Sequence, residues 1–230
     1  MSNLTTESDF SVGKEAAHFA TTFIQNNIKE ISKIAKYTLN LASTELRIRL
    51  DRTYSNYLNC VGERYSKVKT FLFNQEPHDL FKFYVPLGVS VGNTNYLNVT
   101  ISDLTLTNNF NIITGSAGSG KSIMMRYLFL DSIKQHEKIP IFLELRELNS
   151  IDGSLLNVIK RKLADNKFDF GDKFIERAFE LGYFILFLDG FDELAESKQR
   201  EIAEEILFIF KHHDKNQIIV SSRPDNYFSH

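Results

Sequence analysis

Cysteine and long apolar runs are scarce in this chain of 230 residues. Cys60 is the single cysteine, so an internal disulfide and a thiolate metal cage are excluded, and a reducing compartment is favoured. The longest apolar run, at 183–188, is far too short to cross a bilayer as a helix. The first 20 residues lack the basic and apolar regions of a secretory signal. These observations predict a cytosolic protein with Cys60 packed in its core.

A strong excess of one charge is also missing. The formal net charge is -2 and the pI is near 6.3, which gives no global attraction to nucleic acid or to an anionic membrane. Residues 46–70 contain six basic and two acidic side chains, and a solvated helix face is the usual explanation for such a stripe. Hydrophobic residues make up 43% of the chain and charged residues 24%, as in a folded globular protein.

The histidines do not form a pattern typical of a metal site. His212 and His213 are adjacent, so on a helix their side chains point about 100° apart and cannot chelate from one face. His18, His78 and His136 have no ligand partners at the spacings of zinc sites. The sequence therefore predicts no zinc.

The chain divides into two regions with different sequence patterns. Apolar residues recur every three to four positions over 12–39 and again over 46–68, which predicts a helical hairpin or small bundle. Pro77, Pro86 and the turn-like 92–95 then interrupt this pattern and predict an extended segment or hairpin. The predicted division is a helical N-terminal domain over 1–80, serving as effector, adaptor or oligomerisation element, and a second domain over 81–230.

Four short apolar runs follow, separated by segments with helical spacing. Continuous apolarity is typical of strands buried on both faces, and alternation with helices is typical of a parallel sheet. The fold prediction is therefore α/β, with a parallel sheet flanked by helices and preceded by the helical domain. The predicted strands are 110–114, 139–145, 183–188 and 217–222, and Ile202, Ile206 and Ile209 share the buried face of the last helix.

Between the first predicted strand and the next helix lies GSAGSGKS, residues 115–122. It fits GxxxxGK[ST], in which glycines let the backbone wrap an anion while the following helix directs its positive end at the same place. Lys121 would reach the β- and γ-phosphates, and Ser122 would offer its hydroxyl to Mg²⁺. The alternative is a glycine-rich turn with a solvated lysine. The predicted phosphate-binding residues are Gly115, Ser116, Ala117, Gly118, Ser119, Gly120, Lys121 and Ser122.

A second motif, DGFDEL, ends the third predicted strand. In P-loop proteins an aspartate at a strand end holds Mg²⁺ through water, and a nearby carboxylate orients or deprotonates the attacking water. Asp189 is the predicted metal residue, and either Asp192 or Glu193 the predicted catalytic carboxylate. Asp189 alone would be as compatible with a helix cap.

Together these motifs resemble the NACHT group of STAND NTPases, which combine GxAGxGKS with an acidic strand end reading Asp, small, apolar, Asp, Glu. The stretch IIVSSRP at 218–224 resembles the sensor strand of that family and places Arg223 where the γ-phosphate would be sensed. The resemblance runs from Phe83 to the end, and the helical part is similar, more weakly, to domains that precede NACHT modules in bacterial immune proteins. The sequence stops seven residues after Arg223, so relative to that family we expect a sheet incomplete at its C-terminus and a fragment of a longer protein.

The resemblance implies a switch that binds ATP or ADP with Mg²⁺, hydrolyses ATP slowly, and self-oligomerises in antiphage defence. A phage component would be sensed by a C-terminal region outside this sequence. Two alternatives stay open: a scaffold that holds nucleotide without turnover, and a general motor-type ATPase. Gly190, standing where many ATPases carry a glutamate, counts against the motor.

Overall fold

The computed structural model of the protein describes residues 18, 20–27, 29, 31, 43–68, 78–106, 108–135, 137–224 and 228. Part of the helix predicted over 12–39 lies outside these residues, as do Lys69, Pro77 and His136. Residues 20–27 are helical, and Ala20, Phe23 and Ile24 are buried there. The described part of this segment therefore agrees with the helical periodicity.

Helices and strands follow one another along the rest of the chain. The helices are α1 (Ser43–Ser66), α2 (Leu80–Phe83), α3 (Ile101–Thr105), α4 (Lys121–Gln135), α5 (Leu155–Asp165), α6 (Asp172–Leu181) and α7 (Glu196–His212). The strands are β1 (Lys67–Val68), β2 (His78–Asp79), β3 (Val89–Val91), β4 (Thr94–Tyr96), β5 (Phe110–Thr114), β6 (Ile139–Glu144), β7 (Phe184–Asp189) and β8 (Gln217–Ser222). Short 3₁₀ helices cover Leu145–Asn149 and Phe191–Glu193.

The central sheet has four parallel strands in the order β5-β8-β7-β6. Every residue of β7 is buried, in keeping with a strand covered on both faces. The predicted α/β fold with a parallel sheet is thus confirmed. Strand β6, which follows β5 in sequence, lies at the opposite edge of the sheet, and β8 lies between β5 and β7. The polar residues at the carboxyl ends of β6, β7 and β8 therefore meet at one edge.

Two of the four predicted strands have the observed bounds, one is shifted by one residue, and one ends a residue earlier than predicted. Tyr183 falls outside β7 because its N–H donates to the carbonyl of Ala178 in the turn at Gly182, which caps α6 with φ of 80°. Asp189, predicted to follow the strand, is its last residue. Leu145 instead opens the 3₁₀ helix after β6.

The antiparallel hairpin of β3 and β4 precedes the sheet, as the turn-like residues 92–95 predict. Its turn is shorter than that stretch, because Val91 pairs directly with Thr94. The turn residue Gly92 has φ of 59°, which glycine adopts readily.

Helix α1 covers the outer edge of β6. The Tyr57 hydroxyl donates to the carbonyl of Pro140 at 2.5 Å, and the Tyr65 hydroxyl donates to that of Phe142 at 3.4 Å. Proline has no N–H to offer at a sheet edge, and the two tyrosines satisfy the outward carbonyls that remain. The thiol of Cys60, half-buried rather than in the core as predicted, donates to Asn166 Oδ1 at 3.6 Å. Helix α1 thus belongs to the same core as the sheet, and a domain boundary at residue 80 stays a prediction.

The described helices include none that is both long and apolar enough to span a membrane. In α7 the predicted face of Ile202, Ile206 and Ile209 is buried. Glu205 lies off this face, and its carboxylate accepts a hydrogen bond from the N–H of Leu155. Burial raises the pKa of Glu205 above its ordinary value.

Candidate nucleotide-binding site

The loop between β5 and α4 has a backbone that favours glycine at two positions, and a third position leaves little room for a side chain. Gly118 and Gly120 have φ of 74° and 90°, which side chains rarely allow. A Cβ on Gly115 would lie 2.6 Å from Ser119 Oγ, and one on Gly120 would lie 2.9 Å from Leu87 Cδ1. The glycines therefore permit a tight wrap that other residues would open.

Lys121 folds back across this loop from the first position of α4. Its Nζ donates to the carbonyl of Gly115 at 2.7 Å and to that of Ser116 at 3.0 Å. Ser122 is exposed beside it. An ammonium, a free hydroxyl and the positive end of a 15-residue helix thus meet at one point, which favours a bound anion.

Asp189 forms the opposite side of the site. Its side chain is buried, and Oδ1 accepts a hydrogen bond from Ser221 Oγ at 2.5 Å. Ser221 Oγ in turn accepts from the N–H of Gly190 at 2.8 Å. The neighbouring strand β8 therefore fixes the orientation of this carboxylate, while its second oxygen has no bond to Ser221.

Gly190 allows the chain to turn directly after Asp189. Its φ is 78°, and a Cβ there would lie 3.2 Å from Cδ and 3.3 Å from Oε1 of Glu193. A larger residue would be strained and would also push against the glutamate. This gives a physical reason for the small residue between the aspartate and the acidic pair.

The acidic pair is divided between two basic partners. Asp192 Oδ2 lies 2.7 Å from Arg223 Nε, and its Oδ1 accepts from the N–H of Arg223 at 3.1 Å. Glu193 points elsewhere, and its Oε2 lies 3.9 Å from Nη1 of Arg146. Two adjacent carboxylates that the sequence cannot tell apart therefore have different surroundings.

Two cavities connect these elements. One of about 380 Å³ is bounded by the loop on one side and by Asp192, Glu193, Ser221 and Arg223 on the other. A second of about 170 Å³ shares Ser122 and Glu193 with the first and includes Asp189. Of the predicted site residues, Gly115 and Ser116 line neither cavity and contact the site through Lys121.

The model of the NACHT domain family matches residues 110–228. This chain belongs to the NACHT family. The match begins at β5, so the lead-in before it and the N-terminal helices lie outside it. No curated protein matches the chain. A NACHT domain is a nucleotide-binding P-loop NTPase, in agreement with the sheet and the loop described above.

The residues of the NACHT site fit a nucleotide with Mg²⁺. An added Cβ would crowd the loop at Gly115 and Gly120, and the Lys121 ammonium that lies across it is suited to phosphate. Ser122 and Asp189 offer the hydroxyl and carboxylate oxygens that Mg²⁺ prefers. Among the described residues no group of three or more His, Cys, Asp or Glu could hold a metal ion.

Sequence reasoning missed four polar residues of the NACHT site. Glu144 is the last residue of β6 and lies beside Asp189 in the sheet register, so its position depends on strand pairing. Arg146 and Asn149 follow in the 3₁₀ helix, beyond the predicted strand 139–145. Ser221 lies in the predicted sensor strand at the end of β8, but no role was predicted for it, although it bonds Asp189. All four lie at or shortly after the carboxyl end of an apolar strand.

Proposed function

We propose that this chain binds ATP or ADP with Mg²⁺ and acts as a nucleotide-dependent switch with slow hydrolysis. The observation that carries the proposal is the cavity in which the phosphate loop faces Asp192, Glu193 and Arg223. A loop of this kind binds phosphates in many classes of protein. Carboxylates and an arginine across from it are what hydrolysis and γ-phosphate sensing require.

Each side of the cavity has its own task in this proposal. The backbone of 115–122 wraps the phosphates, and Lys121 exchanges its bonds to Gly115 and Ser116 for phosphate oxygens. Ser122 and Asp189 organise Mg²⁺, which when bound would neutralise charge on the phosphates. The hydrogen bond from Ser221 supports this role, since it orients Asp189.

Glu193 is the carboxylate that we assign to the attacking water. Asp192 is engaged by the N–H and the Nε of Arg223, so both of its oxygens already have a partner. Glu193 has a side chain 48% exposed, and its ion pair is the longer one at 3.9 Å. A water between Glu193 and the γ-phosphate would therefore have a carboxylate oxygen to accept its proton.

Arg223 gives the switch its nucleotide dependence. Paired with Asp192, it lies at the end of β8 beside the cavity, and a γ-phosphate there competes for its guanidinium. ATP would draw Arg223 and the segment after β8 toward the phosphates, whereas ADP would leave the Asp192 pair intact. Such an exchange is a two-state element whose balance a ligand can shift.

A further cavity of about 450 Å³ on the other side of the loop would hold the nucleoside. Its lining joins apolar side chains of the β3–β4 hairpin region, including Leu87 and Val89, to Gly115, Ser119 and Lys121 of the loop. An apolar cleft that opens directly onto a phosphate site suits a base and ribose. A preference of this site for ATP over GTP is part of the proposal.

The biological setting belongs to the proposal as well. ATP-driven repacking would promote self-oligomerisation, and the trigger would be a phage component recognised by a C-terminal region, in a cytosolic antiphage response. These expectations come from the NACHT family and are consistent with the switch chemistry of the site.

A scaffold that holds nucleotide without turnover is the second candidate. The observation that favours it is the tight attachment of α1, whose Tyr54, Tyr57 and Tyr65 are buried against the sheet region. A helical part joined so closely to the nucleotide-binding part could be ordered by nucleotide occupancy alone.

Binding and turnover on the same sample test the proposal. We expect labelled ATP and ADP to bind tightly with Mg²⁺, GTP to bind less tightly, and ATP to be hydrolysed slowly. The variant Glu193→Gln should keep nucleotide affinity and lose about a hundredfold or more in turnover. Glu196→Gln, at the exposed start of α7, is the matched control and should change neither.

Each result assigns the function. Unchanged turnover in Glu193→Gln would contradict the role given to Glu193. Tight binding with no turnover in the unsubstituted chain would favour the scaffold, and the absence of binding by a folded chain would reject both candidates.

A further inference from the structure

The 3₁₀ helix Leu145–Asn149 packs against the 3₁₀ helix Phe191–Glu193, which carries the acidic pair. Asn149 joins the two through the backbone: its Nδ2 donates to the carbonyl of Glu193 at 2.9 Å, and its Oδ1 accepts from the N–H of Ala195 at 2.8 Å. One amide side chain therefore binds on both sides of Leu194. The backbone that carries Glu193 is held by a residue 44 positions away in sequence.

Arg146 joins the two segments through side chains. Its Nη1 lies 3.9 Å from Glu193 Oε2, while its Nη2 donates to Glu144 Oε2 at 2.5 Å. The guanidinium thus connects a carboxylate at the end of β6 with the carboxylate after β7. Of the two oxygens of Glu193, Oε2 is the one near Arg146, and Oε1 is the one that a Cβ on Gly190 would meet at 3.3 Å.

Glu144 is itself held from the phosphate-loop helix. Its Oε1 lies 3.2 Å from Nη2 of Arg126, on the second turn of α4. The Glu144 side chain is 20% exposed, so both of its ion pairs are partly shielded from water. Burial works against its charged form, but the bonds and charges of Arg146 and Arg126 outweigh that effect and hold the pKa of Glu144 below its ordinary value.

We infer that the segment 144–149 is a clamp that positions Glu193 for its water, with Arg146 and Asn149 as positioning residues. This inference rests on the proposed function, in which Glu193 orients the attacking water. Arg146 restrains Oε2 and leaves Oε1 for the water. Asn149 keeps the turn from moving, and Arg126 connects the clamp to the helix that begins at the phosphates. Glu193 is exposed on a three-residue turn, so without such a clamp its side chain would sample many orientations.

A role in binding phosphate is the competing assignment for Arg146. Its side chain is 61% exposed and lines the same cavity as Ser122 and Asp189. A phosphate ligand removed from the site lowers affinity, whereas a positioning residue lowers the rate of the bound complex. The two assignments therefore predict opposite changes in dissociation constant and turnover.

A double-mutant cycle tests the clamp. We expect Arg146→Met to lower turnover about tenfold, with dissociation constants for ATP and ADP within about twofold of the unsubstituted chain. Arg146→Lys should recover part of the rate because it keeps the charge. In a Glu193→Gln background, Arg146→Met should have no further effect. Arg177→Met, which removes the exposed pair with Glu180 on α6, is the control for losing an arginine and should change none of these values.

Weaker nucleotide binding at unchanged turnover would assign Arg146 to phosphate and overturn the clamp, as would an equal loss in the Glu193→Gln background. Hydrogen exchange gives a readout that does not need hydrolysis. The clamp predicts faster exchange over 189–195 in both Arg146→Met and Asn149→Ala, with exchange over 115–122 unchanged. Unaltered exchange over 189–195 would overturn it. Absence of turnover in the unsubstituted chain would instead count against the proposed hydrolysis.

Discussion

The two sides of the site are built in different ways. The phosphate loop uses eight consecutive residues, 115–122, and its main side-chain bonds join Lys121 to carbonyls five and six positions away. The facing side is assembled from the ends of three strands, where bonds span 31 positions for Asp192 and Arg223 and 32 for Asp189 and Ser221. A contiguous motif specifies its own geometry, whereas an assembled one depends on the order of strands in the sheet.

We infer from this difference that the loop binds the nucleotide and that the facing side responds to the bound nucleotide. In the proposed function the loop holds phosphate with its own backbone, because the φ values of its turn come from its own glycines. The assembled side contains the groups assigned to metal, water and γ-phosphate, whose relative positions change if β6, β7 or β8 moves. We therefore expect variants of the loop to alter affinity, and variants of the assembled side to alter turnover or stability.

Lys121→Ala should have the largest effect, because it breaks the loop side alone. Removing the ammonium from the phosphates should weaken ATP and ADP binding by roughly a hundredfold or more, corresponding to about 3 kcal/mol. Titration calorimetry with Mg²⁺ measures the change. Lys211→Ala, exposed in the last turn of α7, is the control and should bind as the unsubstituted chain does. Equal affinity in Lys121→Ala would disprove the assignment of the loop.

Gly190→Ala breaks the assembled side and leaves the loop intact. A side chain at φ of 78° is strained, and its Cβ would crowd Glu193, so the free energy of unfolding should fall by about 1–2 kcal/mol and turnover should drop while ATP still binds. Gly92→Ala is a matched control, with φ of 59° and nothing within 4 Å of the added Cβ. It should lose stability but not turnover. If both variants kept full turnover, crowding of Glu193 would have no catalytic consequence.

Tyr57→Phe sharpens the comparison by loosening the strand that supports the assembled side. The carbonyl of Pro140 would lose its hydrogen bond at a covered edge, so the free energy of unfolding should fall by about 1 kcal/mol in denaturant titrations. Tyr65→Phe should cost less, since its bond is longer at 3.4 Å. Tyr96→Phe, on the exposed β4, is the control. An equal change in all three variants would mean that the edge contact adds nothing specific.

The sequence predicted the sheet better than it predicted the site. Apolar runs marked all four strands to within one residue, because strands covered on both faces are continuously hydrophobic. Arg146 could not be identified, because its neighbours in sequence are apolar and acidic side chains and its partner Glu193 lies on another strand end. The contact of Glu205 could not be identified either, since the N–H of Leu155 approaches it from a different helix.

What the sequence determined by itself is whatever depends on neighbouring residues. The phosphate loop, the small residue at Gly190 and the alternation of strands and helices each follow from local chemistry. Only the tertiary structure divided Asp192 from Glu193, because β8 lies between β5 and β7 and brings Arg223 to the first carboxylate, while the segment after β6 brings Arg146 to the second. Strand order is a property of the whole packed sheet, so the partners that it creates have no signature in any short stretch of the chain.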